Sequence, residues 1–171
     1  MGLFSSNLNL DSLKSLLCSQ LADLYDAEQR LTKAIPRMID AAHDLELKDD
    51  LRQHLRETEA QVARLETVLE IIGQERESQT CEAMKGLIKE AKGIVTSSGL
   101  PAVKDAALIA AAQRIEHYEI AGYGTARTFA QHLGHHEAAR LLQETLNEER
   151  MADQKLNRLA EQNVNLQAQA S

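Results

Sequence analysis

Aromatic residues make up only 3% of this 171-residue sequence, and tryptophan is absent. A core without aromatics has to be filled by Leu, Ile, Val, Met and Ala, the residues of long helix–helix seams. Proline occurs twice and glycine eight times, so turn punctuation is sparse. Both shortages argue against sheets. There is no Lys/Arg-rich run and the net charge is −7, which argues against a phosphate-backbone partner and hence against nucleic acid. No run reaches 18 apolar residues, so no membrane span is expected. The first residues, Met1 to Ser5, lack the basic and apolar regions of a signal peptide. Cys18 and Cys81 have no metal-binding spacing; each reads as a small buried hydrophobe, and two cysteines suit a reducing cytoplasm.

What remains is helical rhythm. Hydrophobic residues account for 43% of the chain and recur every three or four positions. From Asn9 to Leu45 an apolar row reads Leu10, Leu13, Leu17, Leu21, Leu24, position 28, Leu31, Ile35, Met38, Ala42, Leu45, one long amphipathic helix. Asn9 or Asp11 is its expected cap, and Pro36 should kink or break it. A second helix starts near Asp49–Asp50, after a turn at 46–48, and carries Leu51, Leu55, Thr58, Val62, Leu65, Leu69 and Ile72 up to Gly73. A shorter helix spans about Cys81–Val95. The next runs from about Ala102 to Leu133, with Pro101 near its start and Gly134 after it. The last covers about His135–Gln162, with the row Ala138, Leu142, Thr145, Glu149, Ala152, Leu156, Leu159. Residues 163–171 are polar and expected to fray.

The connection from Gln74 to Leu100 is 27 residues long, too long for a hairpin. A helix of about 16 residues within it spans roughly 24 Å and carries the chain along most of a bundle. The expected architecture is therefore all-α: one domain over 1–171, a ferritin-like antiparallel four-helix bundle (core about 9–162) with a helical crossover between bundle helices two and three.

The two hairpins repeat weakly. Leu55-Arg56-Glu57-Thr58 matches Leu142-Gln143-Glu144-Thr145, and Glu28 precedes Glu57 by 29 residues as Glu116 precedes Glu144 by 28. Glu28 and Glu116 stand in the middle of apolar rows. A buried, unpaired carboxylate is expensive, so each has to be neutralised, paired or bound to metal. Glu119 follows Glu116 by one turn. His54, Glu57 and Gln61 line one flank of the second helix, and Glu144 and Glu148 the matching flank of the last. Such carboxylate-rich sets on four helices hold dinuclear iron or manganese. The competing reading pairs Glu28 and Glu116 with Arg30, Arg114 or Arg127, lets Glu57 and Glu144 face water, and leaves a non-catalytic helical interaction protein. Glu148 has a rival in Glu149, since Glu148-Glu149-Arg150 could face solvent. Tyr25 and Tyr123 read as core packing. A DNA-coating iron cage is disfavoured by the acidic charge.

Four segments carry a resemblance. Leu16 to Leu31 (LLCSQLADLYDAEQRL), His54 to Thr58 (HLRET), Arg114 to Gly124 (RIEHYEIAGYG) and Leu142 to Glu149 (LQETLNEE) resemble the YciF/YciE-like stress-protein family, over about residues 3–163. The resemblance implies a ferritin-like, rubrerythrin-related bundle, a homodimer, an association with bacterial stress and a dinuclear metal site on Glu28, Glu57, Glu116, Glu119 and Glu144. The chain departs from the usual Glu-x-x-His pattern: Ala60 and Asn147 stand where histidines would, and His54-x-x-Glu57 is reversed. Glu148 is the candidate replacement ligand on the last helix. The expected metal set is thus Glu28, His54, Glu57, Glu116, Glu119, Glu144 and Glu148, holding two Fe ions (or Mn) that could react with O2 or peroxide; no catalytic residue is assigned.

Overall fold

The computed structural model describes residues 10–75 and 78–171. Among these residues every regular element is helical. Five helices come first: α1 (Leu13–Ala41), α2 (Leu45–Ile71), α3 (Glu82–Thr96), α4 (Pro101–His132) and α5 (His136–Leu159). A π-helical turn, Ala160–Val164, leads into α6 (Asn165–Ala170). No described helix is long and apolar enough to cross a membrane.

The boundaries follow local chemistry. Ser12, one residue after the expected Asp11, caps α1 by accepting the Ser15 N–H at 3.0 Å; Asn9 lies outside the described residues. Pro36 neither ends nor breaks α1. The carbonyl it deprives of a donor belongs to half-buried Thr32, at the partly exposed edge of a helix that buries Ile35 and Met38. The expected turn at 46–48 falls earlier, because Asp44 caps α2 through the Leu47 N–H at 3.0 Å. Gly73 and Gly134 adopt φ of 65° and 79°. The backbone N–H groups after them, of Gln74 and His135, bond back to Leu69 and Ala130, the left-handed closure glycine allows.

α1 packs on α2 and α4, and α5 packs on α4 and α2. The connectors 42–44 and 133–135 are three residues long, so each joined pair runs antiparallel. α3 lies in the long connection and packs on α1 and α4. The C-terminal residues do not fray as expected: Val164 is buried and α6 packs on α4. Asn163 donates to Asp44 at 3.1 Å, tying this segment to the α1–α2 turn. Asp105, buried on α4, accepts the backbone N–H groups of His43 and Asp44, both at 2.8 Å.

The apolar interior is in two parts. One holds Leu31, Ile35, Met38, Leu51, Ile115 and Leu156 among others. The other holds Leu21, Leu24, Leu65, Tyr123, Leu142 and Leu146 among others. On each long helix the residues between those two groups are polar and buried: Glu28 on α1, His54, Thr58 and Gln61 on α2, Glu116 and Glu119 on α4, and Glu149 on α5. A polar layer therefore crosses the middle of the bundle.

Candidate metal centre

Each helix contributes to this layer at its own apolar period. On α1 Glu28 lies one turn after Leu24 and one turn before Leu31, and all three are buried. On α2 the inward face runs Leu47, Leu51, His54, Thr58, Gln61, Leu65. Glu116 and Glu119 share one face of α4. On α5 Glu149 follows Leu142 by two turns and precedes Leu156 by two.

His54, Glu116, Glu119 and Glu149 each offer a ligand atom, and those atoms all lie within 4.8 Å of one another. Glu28 adjoins the group: its Oε1 accepts the Tyr123 hydroxyl at 2.5 Å, and its carboxyl and that of Glu119 influence each other's protonation. Gln61 Nε2 donates to Glu149 Oε1 at 2.5 Å and to Glu148 Oε2 at 3.0 Å. His54 Nε2 stands 3.3 Å from Glu116 Oε1.

The buried acids lack cationic partners. Among the described residues no Lys or Arg pairs with Glu28, Glu116, Glu119 or Glu149. The three arginines that could have served are engaged elsewhere. Arg30 bonds Asp26 at 2.5 Å, Arg114 reaches the Ala110 carbonyl at 3.3 Å, and Arg127 donates to Thr128 at 3.2 Å. Oxygens of all four glutamates, together with His54 Nδ1 and Gln61 Oε1, are buried without a hydrogen-bond donor or acceptor. Buried polar atoms are rarely left this way.

Electrostatics follow from burial. Desolvation, reinforced by the charge of Glu149, pushes the Glu28 carboxyl up to about 8, against the opposing pull of the Tyr123 hydrogen bond. Burial and then neighbouring carboxylates raise Glu116 and Glu119 well above the usual range. Burial raises Glu149 to about 7, with hydrogen bonds from Glu116 and Gln61 holding it back. Burial lowers His54 to about 4, so its imidazole is neutral near pH 7 and keeps a lone pair available to a cation. Without a bound cation the cluster keeps protons; with one, it offers several oxygens and one nitrogen.

Of the seven residues expected from sequence, His54, Glu116 and Glu119 fall in the group and Glu28 adjoins it. Glu57, Glu144 and Glu148 stay outside the group. Glu57 is half-buried, accepts from Gln53 at 2.7 Å, and lines a cavity of about 20 Å³ beside His54 and Glu116. Glu144 is 45% exposed and pairs with Arg140. Glu148 is bound bidentately by Arg64 at 2.7 and 2.8 Å. The reason is rotation about the helix axis: the 144–148 face of α5 is adjacent to the face that carries Glu149 inward. Glu149 and Gln61 are the members that site selection from sequence missed. The signal for Glu149 was its place in the α5 row between Thr145 and Leu156. For Gln61 it was the i, i+3 and i+7 relation to Thr58 and His54. Tyr123, read as packing, is both buried and bonded to Glu28.

Comparison with known proteins sets this geometry in a family. The profile of DUF892, a domain of unknown function, matches residues 12–169. Protein YciF of Escherichia coli K12 is 42% identical over 163 residues, covering 95% of this chain and 98% of its own. The crystal structure of the E. coli stress protein YciF superposes with a TM-score of 0.88 at 43% identity, over 91% of this chain and 99% of that one. YcfI from Rhodopseudomonas palustris, whose description gives it a provisional structural role, superposes with a TM-score of 0.84 at 44% identity, over 90% and 97% of the two chains. A Xanthomonas campestris protein at 22% identity, with a TM-score of 0.72 over 93% and 99% of the two chains, shares the fold.

Proposed function

This chain belongs to the DUF892 family, and from that premise we propose that it is a stress-associated, cytoplasmic, homodimeric protein of ferritin-like design that binds a dinuclear metal centre in its polar layer. In this reading α1, α2, α4 and α5 form the four-helix bundle and α3 is the crossover between its halves. The ligands are Glu28, Glu116, Glu119 and Glu149 with His54. Glu149 takes the α5 place first expected of Glu148, because Arg64 already neutralises Glu148.

The observation that carries the proposal is the buried set of four carboxyls without a cationic partner, beside a neutral imidazole. Two divalent cations would balance four carboxylates. Oxygen donors with one nitrogen suit Fe²⁺ or Mn²⁺. Bound iron would supply one-electron chemistry toward O2 or peroxide, so the substrates proposed are ferrous iron and those oxidants. The protein's own groups do the rest. Gln61 orients Glu149, Tyr123 orients Glu28 and holds a proton at its hydroxyl, and the apolar layers on either side keep bulk water out. The carboxyls release their protons when a cation binds.

A second reading has one observation in its favour. The raised carboxyl pKa values allow the layer to persist protonated, as a purely structural feature in a protein that works by binding partners. Anaerobic Fe²⁺ titration of the metal-free protein separates the two. Saturation near two Fe per chain, lost in both Glu28→Ala and Glu116→Ala, followed by ferric absorbance on admitting O2 or peroxide, supports the metal centre and its redox use. No uptake by the wild type, with both variants folded, leaves the structural reading.

A further inference from the structure

Away from the polar layer, α1 and α3 form a cleft of about 330 Å³. The two helices run in the same direction there. The start of α3 is fixed to α1 by the Cys81 N–H donating to Asp26 at 2.7 Å. Its end is tied to α4 by Lys104 Nζ, which donates to the Val95 carbonyl at 2.9 Å, next to Asp105, which holds the end of α1. The base of the cleft is apolar: Met38, Ala91 and Ile115 are buried, and Ile88 and Val95 are half-buried. Its edges carry five cations, Arg30, Lys33 and Arg37 from α1 and Lys85 and Lys92 from α3. The spacing explains the pattern. Positions 30, 33 and 37 share one face of α1, and positions 85 and 92 one face of α3.

This patch runs against the rest of the molecule. The chain has a net charge of −7, yet among the described residues Asp26 is the one carboxylate that lines the cleft, and it is already held by Arg30 and the Cys81 amide. Lys85 pairs with the exposed Glu82. Lys33, Arg37 and Lys92 have no ion pair among the described residues. Lys33 lies close enough to help lower the Asp26 carboxyl, but like charges around an apolar floor repel one another and complement an anion with an aliphatic body.

We propose that the cleft between α1 and α3 binds a single-chain amphipathic anion of the medium-chain fatty-acid class. The tail lies on Met38, Ile88, Ala91, Val95 and Ile115, and the carboxylate meets Lys33, Arg37 and Lys92. Length sets the size: the stretch of α3 that lines the cleft, Lys85 to Val95, rises about 15 Å, the scale of one extended medium-length chain such as decanoate. The site is independent of the metal centre.

Calorimetric titration of the full-length protein with decanoate, with decyltrimethylammonium and acetate as controls, tests it. Saturable binding of one decanoate per chain is expected, with neither control binding comparably. The exposed pair Lys33→Glu/Arg37→Glu should weaken it about tenfold or more, through loss and reversal of two partly screened contacts. Ala34→Phe, which fills the half-buried wall of the cleft, should weaken it without a change of charge, and Glu116→Ala should leave it intact. The proposal is overturned if decanoate does not saturate, if the cationic detergent binds as well, or if the charge-reversed variant, folded by circular dichroism, binds unchanged. Binding of phosphatidylglycerol vesicles without binding of free decanoate would overturn it in favour of a membrane-surface patch.

Discussion

Replacing Glu28 with glutamine should make the metal-free protein more stable near neutral pH and at the same time remove its response to metal. Glu28 is fully buried, and its carboxyl is raised to about 8 from an ordinary value of 4.5, chiefly by burial and then by Glu149. The folded state therefore keeps a proton that the unfolded chain gives up once the pH exceeds 4.5. Where the folded state binds more protons, stability falls as pH rises. This group's contribution is intact below about 4.5 and is lost progressively up to about 8. Between pH 5 and 7 one retained proton is worth roughly 2 to 3 kcal/mol. Glutamine keeps an oxygen to accept the Tyr123 hydroxyl and does not titrate, so it escapes the loss. Urea denaturation of both proteins in EDTA, at pH 5 and pH 7, gives the quantity needed: the variant's advantage at pH 7 minus its advantage at pH 5. His54, depressed to about 4 by burial, loses stability in the opposite direction, as pH falls from 6.5 toward 4, but it is present in both proteins and cancels. The expected double difference is about 2 to 3 kcal/mol in favour of the variant. With Mn²⁺ at a hundredfold its dissociation constant the wild type should gain about 2.7 kcal/mol, and the variant far less. A double difference near zero would mean that Glu28 is not a buried, proton-retaining carboxyl, and the electrostatic account of the whole layer would fall with it.

Other perturbations probe the surroundings of the layer. Arg64→Ala removes the guanidinium that bonds Thr145 at 2.6 Å and both oxygens of Glu148; as the pair is only partly buried, a loss of about 1–2 kcal/mol is expected in denaturant unfolding, and an unchanged midpoint would show the pair to be energetically idle. Asp105→Ala strips the acceptors from the His43 and Asp44 amides and should cost about 2–3 kcal/mol, with fast hydrogen exchange at those two amides as its local sign; continued protection of both would contradict the assigned role. Cys81 is buried at the start of α3 and its thiol is raised to about 11 by desolvation. Iodoacetamide should therefore modify partly exposed Cys18 in the native protein and reach Cys81 only after unfolding. Equal native rates at the two thiols would refute this.

Helix identity was legible because 3–4 periodicity over roughly thirty residues admits few alternatives, and the stops at Gly73 and Gly134 need the positive φ that glycine supplies. Boundaries shifted where capping chemistry outweighs the apolar row. Leu45 continues the row of α1 by spacing, yet it is 76% exposed and opens α2, because Asp44 caps there and Asp105 fixes the turn from a distant stretch of chain. That contact has no local signature. The C-terminal residues read as frayed because their polarity conceals two anchors, buried Val164 and the Asn163 bond to Asp44.

The residues of the candidate centre divide along the same line. Glu28 and Glu116 were legible because a carboxylate inside an apolar row is energetically anomalous, and Glu119 because it follows Glu116 by one turn on the same side. The flanking residues were not, since choosing between Glu148 and Glu149 requires knowing the rotation of α5 to within one position, about 100° of helix. The internal repeat pulled that choice toward 144 and 148. Packing settled it the other way: Leu142, Leu146 and Leu156 are all buried, and a helix that buries those three must also turn Glu149 inward, leaving Glu148 at the boundary where Arg64 can reach it. An acid in the hydrophobic row is thus a better guide to a buried centre than an acid matched by sequence repeat, because burial of its neighbours forces its direction whereas similarity of a tetrapeptide does not.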